Sequence, residues 1–278
     1  MSMSTAEMKA RLGPSPGYQE WLRRERRGRI AVRAAQLALL LVVLVSWEVL
    51  PRAQLINPLF TSYPSALWPT MLELLKEKPQ QPGLLAHAAA TFGATVIGFT
   101  LAMVLGTVTA AALWWWSGLY RVLDPYLVVA NAVPKTALVP IFYLWLGATL
   151  SIYAMSLAIS LFITILVIYN GFQGIDPNKV KLARTFGASR RQILTKVVLP
   201  GSVPTFIAAL KVTAGLSLVG VVVGELQSAS VGLGYLIQYG SQIFKMNIVM
   251  TAITVLVIVA MLMYFAIGWL ETFVMRRR

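Results

Sequence analysis

The chain has 278 residues, of which 58% are hydrophobic and only 12% are charged, and its mean hydropathy is +0.71. Soluble domains are about a quarter charged, so this composition excludes a mostly water-facing surface. The net charge is +14, and the absence of cysteine excludes disulfides, thiol catalysis and zinc–thiolate sites. A chain of this length is expected to form one main domain, here a membrane domain.

Six apolar segments are each long enough to cross a bilayer. A membrane helix needs about 20 apolar residues, because each adds about 1.5 Å toward a hydrocarbon layer of roughly 30 Å. No small-residue cleavage site follows the first segment, so we expect it to remain as an uncleaved span. The fold predicted is all-α, a bundle of six transmembrane helices. The predicted spans are residues 31–50, 86–113, 125–146, 152–171, 203–224 and 247–270.

Basic residues are concentrated on one side of this six-span arrangement. Of the 24 lysines and arginines, eighteen lie on one side and four on the other. The eighteen are those in residues 1–33, Arg121, those in residues 179–196 and the last three residues of the chain. Since Lys and Arg accumulate on the cytoplasmic side, both termini are expected in the cytoplasm. Residues 1–29 would then be a basic cytoplasmic segment and residues 30–278 the transmembrane domain. Such residues contact lipid headgroups, so no nucleic-acid partner is expected.

A long polar segment, residues 175–201, separates the fourth and fifth predicted spans. Pro177 favours the start of a short helix that runs to about Phe186. Gly187 is suited to the left-handed conformation that ends such a helix. Ser189 then predicts the cap of a second helix through about Val198, which Pro200 is expected to end. Two short helices joined to two spans would form a lever that receives force from a soluble partner.

The same segment resembles part of a known family. It is similar to the EAA loop of binding-protein-dependent ABC importer permeases, through Ala183-Arg184-Thr185-Phe186-Gly187-Ala188-Ser189 and Val198-Leu199-Pro200. Further motifs over about residues 60–270 resemble the nitrate, sulfonate and taurine branch. They are Tyr63-Pro64-Ser65, His87, Asp124-Pro125, Ala132-Val133-Pro134-Lys135, Leu138-Val139-Pro140, Leu144-Trp145-Leu146-Gly147, Glu225 and Gly232-Leu233-Gly234-Tyr235. Lys181 and Leu182 replace the family's usual Glu-Ala, so contacts made through that glutamate are not carried over.

The resemblance implies a multi-pass permease of a bacterial plasma (inner) membrane, without catalytic residues, metal or cofactor of its own. Two ATP-binding subunits holding ATP and Mg would dock on the loop, and a periplasmic or lipid-anchored binding protein would deliver the solute. A second copy would complete the path as a homodimer, with a paralogue as the alternative. The chain contains no GxxxxGK[ST] motif to cradle ATP. The coupling residues implied are Lys181, Ala183, Arg184, Gly187, Ala188, Ser189 and Arg190.

The solute implied is small and anionic or polar, such as a sulfonate, nitrate or taurine, and the alternative is a pyrimidine or vitamin precursor. The candidates for its path or gate are Asn131, Pro134, Lys135 and Glu225. A mid-membrane lysine costs about 2.5–3.5 kcal/mol, so Lys135 has a functional, inward-facing role by default. Its alternatives are pairing with backbone carbonyls or a partner subunit, and snorkelling. For Glu225, lining the path and stabilising the glycine-rich turn after it both stay open.

Two other functions are compatible with a chain of this composition. An ion-coupled secondary transporter would more often have about ten or more spans, an internal repeat and buried acidic residues. An intramembrane enzyme would need a constellation of paired catalytic groups. The sequence has six predicted spans and a single histidine, His87, with no group of further metal-ligating or catalytic residues beside it.

Overall fold

The computed structural model describes residues 16–57, 60–76 and 82–276, and every regular element in these ranges is a helix. The all-α class is therefore confirmed. A 3-10 turn at Lys135–Leu138 precedes the helix Val139–Gln173. A π turn at Leu194–Val198 and a helical turn at Leu199–Gly201 connect the helix Arg190–Ile193 to the helix Val203–Ser228. The helices are α1 Pro16–Arg52, α2 Pro64–Leu75, α3 Leu84–Trp115, α4 Ser117–Ala132, α5 Val139–Gln173, α6 Pro177–Thr185, α7 Arg190–Ile193, α8 Val203–Ser228, α9 Leu233–Gln242 and α10 Met246–Arg276.

Five stretches in the described ranges are helical, long and apolar enough to cross a membrane. They are Arg24–Arg52, Leu84–Trp115, Lys135–Gln173, Val203–Ser228 and Met246–Phe273. The predicted third span, residues 125–146, is divided between the end of α4 and the start of α5, and α4 has only 16 residues, fewer than the roughly 20 that a spanning helix needs. The count of six spans therefore stays a prediction.

The predicted third span, residues 125–146, is interrupted in the structure. The helix ends at Ala132, and Val133 and Pro134 have ψ angles of 134° and 95°. Pro134 lacks an N–H and disfavours helical geometry in the residue before it, which explains the break. A second break follows at Gly147, with φ 76° and ψ −179°, so residues 139–146 form a short helical segment between two interruptions.

The described residues form two compact units, divided in the chain between Ser65 and Ala66. In the first unit, α1 runs through residues 29 and 30 without interruption. The division of the chain predicted at that point stays a prediction. At the carboxyl end of α1, the Glu48 carboxylate pairs with Arg52 at 2.7 Å and accepts a hydrogen bond from the Ser65 N–H at 3.0 Å.

In the second unit, α3, α5 and α8 form the centre of the bundle. Gly220 of α8 lies so close to α5 that a Cβ atom there would lie 2.5 Å from the Ser156 Cα. The hydroxyls of Thr164 and Thr213 share a 2.7 Å hydrogen bond between the same two helices. Small residues and interhelical hydrogen bonds are typical of membrane helix packing. The two helices that the polar segment 175–201 connects are therefore held tightly together.

Candidate functional site

The first half of the segment 175–201 is a capped helix that ends in a left-handed glycine. The Asp176 carboxylate accepts a hydrogen bond from the Asn178 N–H at 2.8 Å, and Pro177 occupies the first helical position. Gly187 has φ 76°, and its N–H donates to the Arg184 carbonyl at 2.9 Å. This φ angle confirms the left-handed residue expected between the two short helices. Glycine is favoured in this conformation because it has no Cβ atom.

The second half begins as predicted but does not end where expected. The Ser189 hydroxyl accepts from the Gln192 N–H at 3.3 Å, and the Gln192 side chain accepts from the Ser189 N–H at 2.8 Å, which makes a capping box. The helical path then continues through the π turn Leu194–Val198 and past Pro200 to Gly201. The predicted stop at Pro200 was wrong, since the wider turn before it accommodates the ring and the missing N–H.

Two contacts fix this loop to the membrane helices. Ile193 and Val198 are buried in one apolar cluster with Leu113 of α3 and Phe172 of α5. The Arg190 guanidinium lies over the Trp114 and Trp115 rings, 5.8 and 5.6 Å from their centroids, and donates to the Trp114 carbonyl at 3.4 Å. Such cation–π contacts contribute about 0.5–1 kcal/mol each at exposed sites. From the sequence, these tryptophans are expected only in an aromatic belt at the membrane surface.

The solvent-exposed side of the loop 175–201 carries large apolar side chains. Phe186 is 81% exposed and Leu182 is 58% exposed, and both line a groove of about 720 Å³ together with Lys179, Lys196 and Asp176. Exposed apolar groups within a charged surface are typical of a binding interface. The coupling residues implied by the resemblance all lie on this loop. Lys181, Arg184, Gly187, Ser189 and Arg190 are exposed there, and Ala183 and Ala188 are half-buried.

A second polar group of residues lies at the other end of the bundle, where α8 turns into α9. Glu225 is only 2% exposed, and its carboxylate accepts hydrogen bonds from the Thr91 hydroxyl at 2.9 Å and the Gly234 N–H at 2.8 Å. The Leu233 N–H donates to the Thr91 hydroxyl oxygen at 2.8 Å. The first N–H groups of a helix have no partner inside it, and a carboxylate is favourable at that end. These contacts attach the start of α9 to α3 and α8.

The glycines of this turn make room for the carboxylate. Gly232 has φ 136°, and a Cβ atom there would lie 2.3 Å from the Glu225 Cδ. The Gly232 N–H donates to His87 Nδ1 at 2.9 Å, and the His87 ring stacks on Tyr235 with centroids 5.8 Å apart. The geometry at Glu225 is that of the second alternative left open by the sequence, in which the carboxylate holds the glycine-rich turn.

Lys135, Asn131 and Pro134 lie together at the first break in the helix. The Lys135 ammonium donates to the Asn131 backbone carbonyl, and Asn131 Oδ1 lies 3.4 Å from the same nitrogen. Lys135 is half-buried, and Pro134 is exposed. A cation at the last carbonyls of a helix is favourable because of the helix dipole. Glu225 belongs to the separate group of residues around α9, so the structure shows no direct contact between it and the three residues at the break.

Comparison with known proteins gives a consistent result. The family model described as "Binding-protein-dependent transport system inner membrane component" matches residues 102–278. A probable ABC transporter permease protein of Haemophilus influenzae is 30% identical over 211 residues, 75% of this chain and 86% of that protein.

Two further relatives have names that mention a solute. The taurine transport system permease protein TauC of Escherichia coli is 27% identical over 227 residues, 81% of this chain and 82% of that protein. The formylaminopyrimidine transport permease protein ThiX of Halalkalibacterium halodurans is 32% identical over 150 residues, 54% of this chain and 60% of that protein.

Among solved structures, a chain of the MetNI methionine ABC transporter in inward-facing conformations has the same fold. It aligns with a TM-score of 0.60 at 20% identity, over 67% of this chain and 94% of that one. The family match covers well over half of the residues, and the helical membrane fold agrees with it. This chain is a multi-pass membrane protein that belongs to the binding-protein-dependent transport system inner membrane component family, the permeases of ABC importers.

Proposed function

We propose that the loop 175–201 is the surface on which ATP-binding subunits dock and move this permease. ATP and Mg would be bound by those subunits and not by this chain. The residues that would contact them are those on the exposed side of the loop, with Phe186 and Leu182 as the apolar anchors.

One observation carries this proposal most strongly: the loop has an exposed apolar tip and a buried base. Phe186 points to solvent, whereas Ile193 and Val198 are buried with Leu113 and Phe172 of the membrane helices. A displacement of the tip would therefore be transmitted to α3 and α5, because a tightly packed interior moves as a unit and does not deform continuously.

The proposed assembly contains two ATP-binding subunits, a second permease copy and an extracytoplasmic binding protein. Both termini and the loop would be on the cytoplasmic side, which follows from the distribution of basic residues. The turn between α8 and α9, with Glu225, would then lie toward the outer face.

The proposed solute is small and anionic or polar. The break between α4 and α5 supports a path at Lys135, because irregular backbone at membrane depth is tolerated where it lines a water-filled cavity or is covered by protein. An ammonium at such a break lowers the electrostatic barrier for an anion. The name of one relative favours a sulfonate such as taurine, and the name of another favours a pyrimidine as the second candidate.

Purification of the complex from native membranes, followed by reconstitution into proteoliposomes, tests the proposal. We expect an ATP-binding subunit to co-purify and labelled taurine to enter only with ATP and the binding protein. Uptake of a labelled aminopyrimidine, and not of taurine, would support the second solute. A solitary protein that transports without ATP would contradict the proposal.

A further inference from the structure

An apolar groove of about 380 Å³ lies between α8 and α10, apart from the loop and the α9 turn. Ala214, Gly215 and Leu218 line one side, and Val257 and Phe265 are among the residues on the other. A Cβ atom at Gly215 would meet no atom within 4 Å, so the groove is open at this point. Its volume falls within the roughly 300–1,000 Å³ typical of sites for small ligands.

One end of this groove carries an ion pair. The Lys211 ammonium donates to the Glu271 carboxylate at 2.6 Å and lies 5.5 Å from the centroid of the Tyr264 ring. The two charged side chains remain 28% and 38% exposed. A lysine has three N–H donors and a carboxylate can accept about four hydrogen bonds, so one mutual bond leaves both groups with unused capacity.

The pair lies toward the ends of α8 and α10 nearer the loop 175–201 and Arg276, so its side chains can extend toward lipid headgroups. Lys211 is eight residues after Val203, where α8 leaves the polar loop, which is about 12 Å along the helix. Glu271 is five residues before Arg276, about 7.5 Å along α10. Lysine side chains commonly extend toward the interface from such depths. The apolar part of the groove extends from the pair along residues 214–218 of α8 and 257–267 of α10.

We propose that this groove binds a phosphatidylethanolamine molecule from the leaflet on the side of the loop 175–201. One acyl chain would lie along Gly215 and Leu218. The lipid phosphate would accept from Lys211, and its primary ammonium would donate to Glu271. The pair is neutral overall and offers one donor and one acceptor side by side, which is complementary to a zwitterionic headgroup with N–H donors.

The same charges argue against other lipids as the occupant. An anionic phosphatidylglycerol has no cation to meet Glu271, and the charge of Lys211 is already balanced. Arg276 is the next cation along α10 and would favour an anionic lipid, but it is beyond the end of the groove. A choline headgroup carries a positive charge without an N–H and cannot donate a hydrogen bond.

Native mass spectrometry of the assembled transporter tests this inference. The complex is reconstituted into nanodiscs containing equal amounts of phosphatidylethanolamine and phosphatidylglycerol, released, and scored for retained lipid. We expect one retained phosphatidylethanolamine per permease chain. Equal or greater retention of phosphatidylglycerol, or no retained lipid, would overturn the proposal. A second permease copy that covers the groove in the assembled complex would also overturn it.

Two variants and one matched control localise the bound lipid. Gly215→Leu should retain at least about fivefold less phosphatidylethanolamine, because its side chain fills the space for an acyl chain. Gly93→Leu makes the same change on α3, away from the groove and where nothing lies within 4 Å of the added Cβ atom, and it should retain wild-type amounts. The double variant Lys211→Gln with Glu271→Gln keeps the groove but should lose the preference for ethanolamine over glycerol headgroups. Unchanged retention in Gly215→Leu, or an unchanged preference in the double variant, would contradict the proposed site.

Discussion

The carboxylate of Glu225 accepts a hydrogen bond from the backbone N–H of Gly234, nine residues further along the chain, at 2.8 Å. Together with Thr91, it satisfies the first N–H groups of α9, which have no partner within their own helix. Glu225 is almost fully buried, so these bonds are made away from water. The position of α9 therefore depends on a side chain of α8 and a side chain of α3.

Glu225→Ala should destabilise the protein markedly. The change leaves the Gly234 N–H and the Thr91 hydroxyl buried without this acceptor, at about 1–3 kcal/mol for each unsatisfied group. Thermal unfolding of the purified protein in detergent is the measurement. Ser228→Ala is the control, because the buried Ser228 hydroxyl has no hydrogen-bond partner to lose. Equal unfolding temperatures for the two variants would show that Glu225 does not hold the turn.

Gly234→Ala should also destabilise the turn, for a steric reason. The added methyl group would lie 2.7 Å from the Val222 carbonyl oxygen and 2.7 Å from the Glu225 Cβ, and overpacking of this kind typically costs about 1–3 kcal/mol. Hydrogen exchange in α9 should become faster, since its first turn is displaced. Gly93→Ala in α3 adds a methyl group where nothing lies within 4 Å and should leave exchange unchanged. Wild-type exchange in Gly234→Ala would contradict the close approach.

Gly187→Val should reduce coupling without preventing insertion into the membrane. Nothing in this chain lies within 4 Å of a Cβ atom at this position, so within the permease the effect comes from the positive φ. A strained residue of this kind costs about 1–3 kcal/mol, which corresponds to roughly 5–150-fold in a coupled equilibrium. Binding-protein-stimulated ATP hydrolysis of the assembled transporter is the measurement.

Gly187→Asn is the matched control for the loop, because asparagine tolerates the left-handed conformation better than valine does. We expect it to retain most of the stimulated hydrolysis. If the valine variant is stimulated as strongly as the wild type, the turn at Gly187 has no role in coupling.

The local features of the loop could be predicted from the sequence because each depends on neighbouring residues. Gly187 predicts a left-handed turn, and Ser189 predicts a helix cap, because of their own conformational and hydrogen-bonding preferences. Pro134 indicates an interruption of the predicted third span, because proline has no backbone N–H, and the structure has a break there. Pro200, in contrast, does not end the second short helix as predicted, since a π turn before it allows the helix to continue.

The contacts between distant segments could not be predicted from one sequence. Arg190 and Trp114 are 76 residues apart, and Thr91 and Glu225 are 134 residues apart. Only the packing of the helices brings these pairs together, and no spacing rule along the chain connects them. Glu225 is consequently ambiguous in the sequence, although the residue and the glycines after it are recognisable as a motif.

Lys135→Met tests whether the ammonium at the helix break serves the solute. If the solute is an anion, the variant should lower uptake roughly tenfold or more. Removal of the charge needs to raise the energy barrier by only about 1.4 kcal/mol to have that effect. Lys135→Arg retains the charge and should keep part of the uptake. Solute affinity of the binding protein and the thermal stability of the complex are measured in parallel, because the Asn131 carbonyl also loses a donor. Full uptake by a normally assembled Met variant would exclude the role.

The most direct test of the central claim uses the absence of cysteine, which makes any introduced cysteine unique in this chain. Phe186→Cys places a thiol at the exposed tip of the loop, and Leu85→Cys places one at the start of α3, where Leu85 is also exposed. Each variant is labelled with benzophenone maleimide and irradiated in the assembled, ATP-hydrolysing complex. If the loop is the docking surface, we expect a photo-crosslink to the ATP-binding subunit from position 186 and none from position 85. A complex that hydrolyses ATP but shows no crosslink from position 186, or equal crosslinking from both positions, would contradict it.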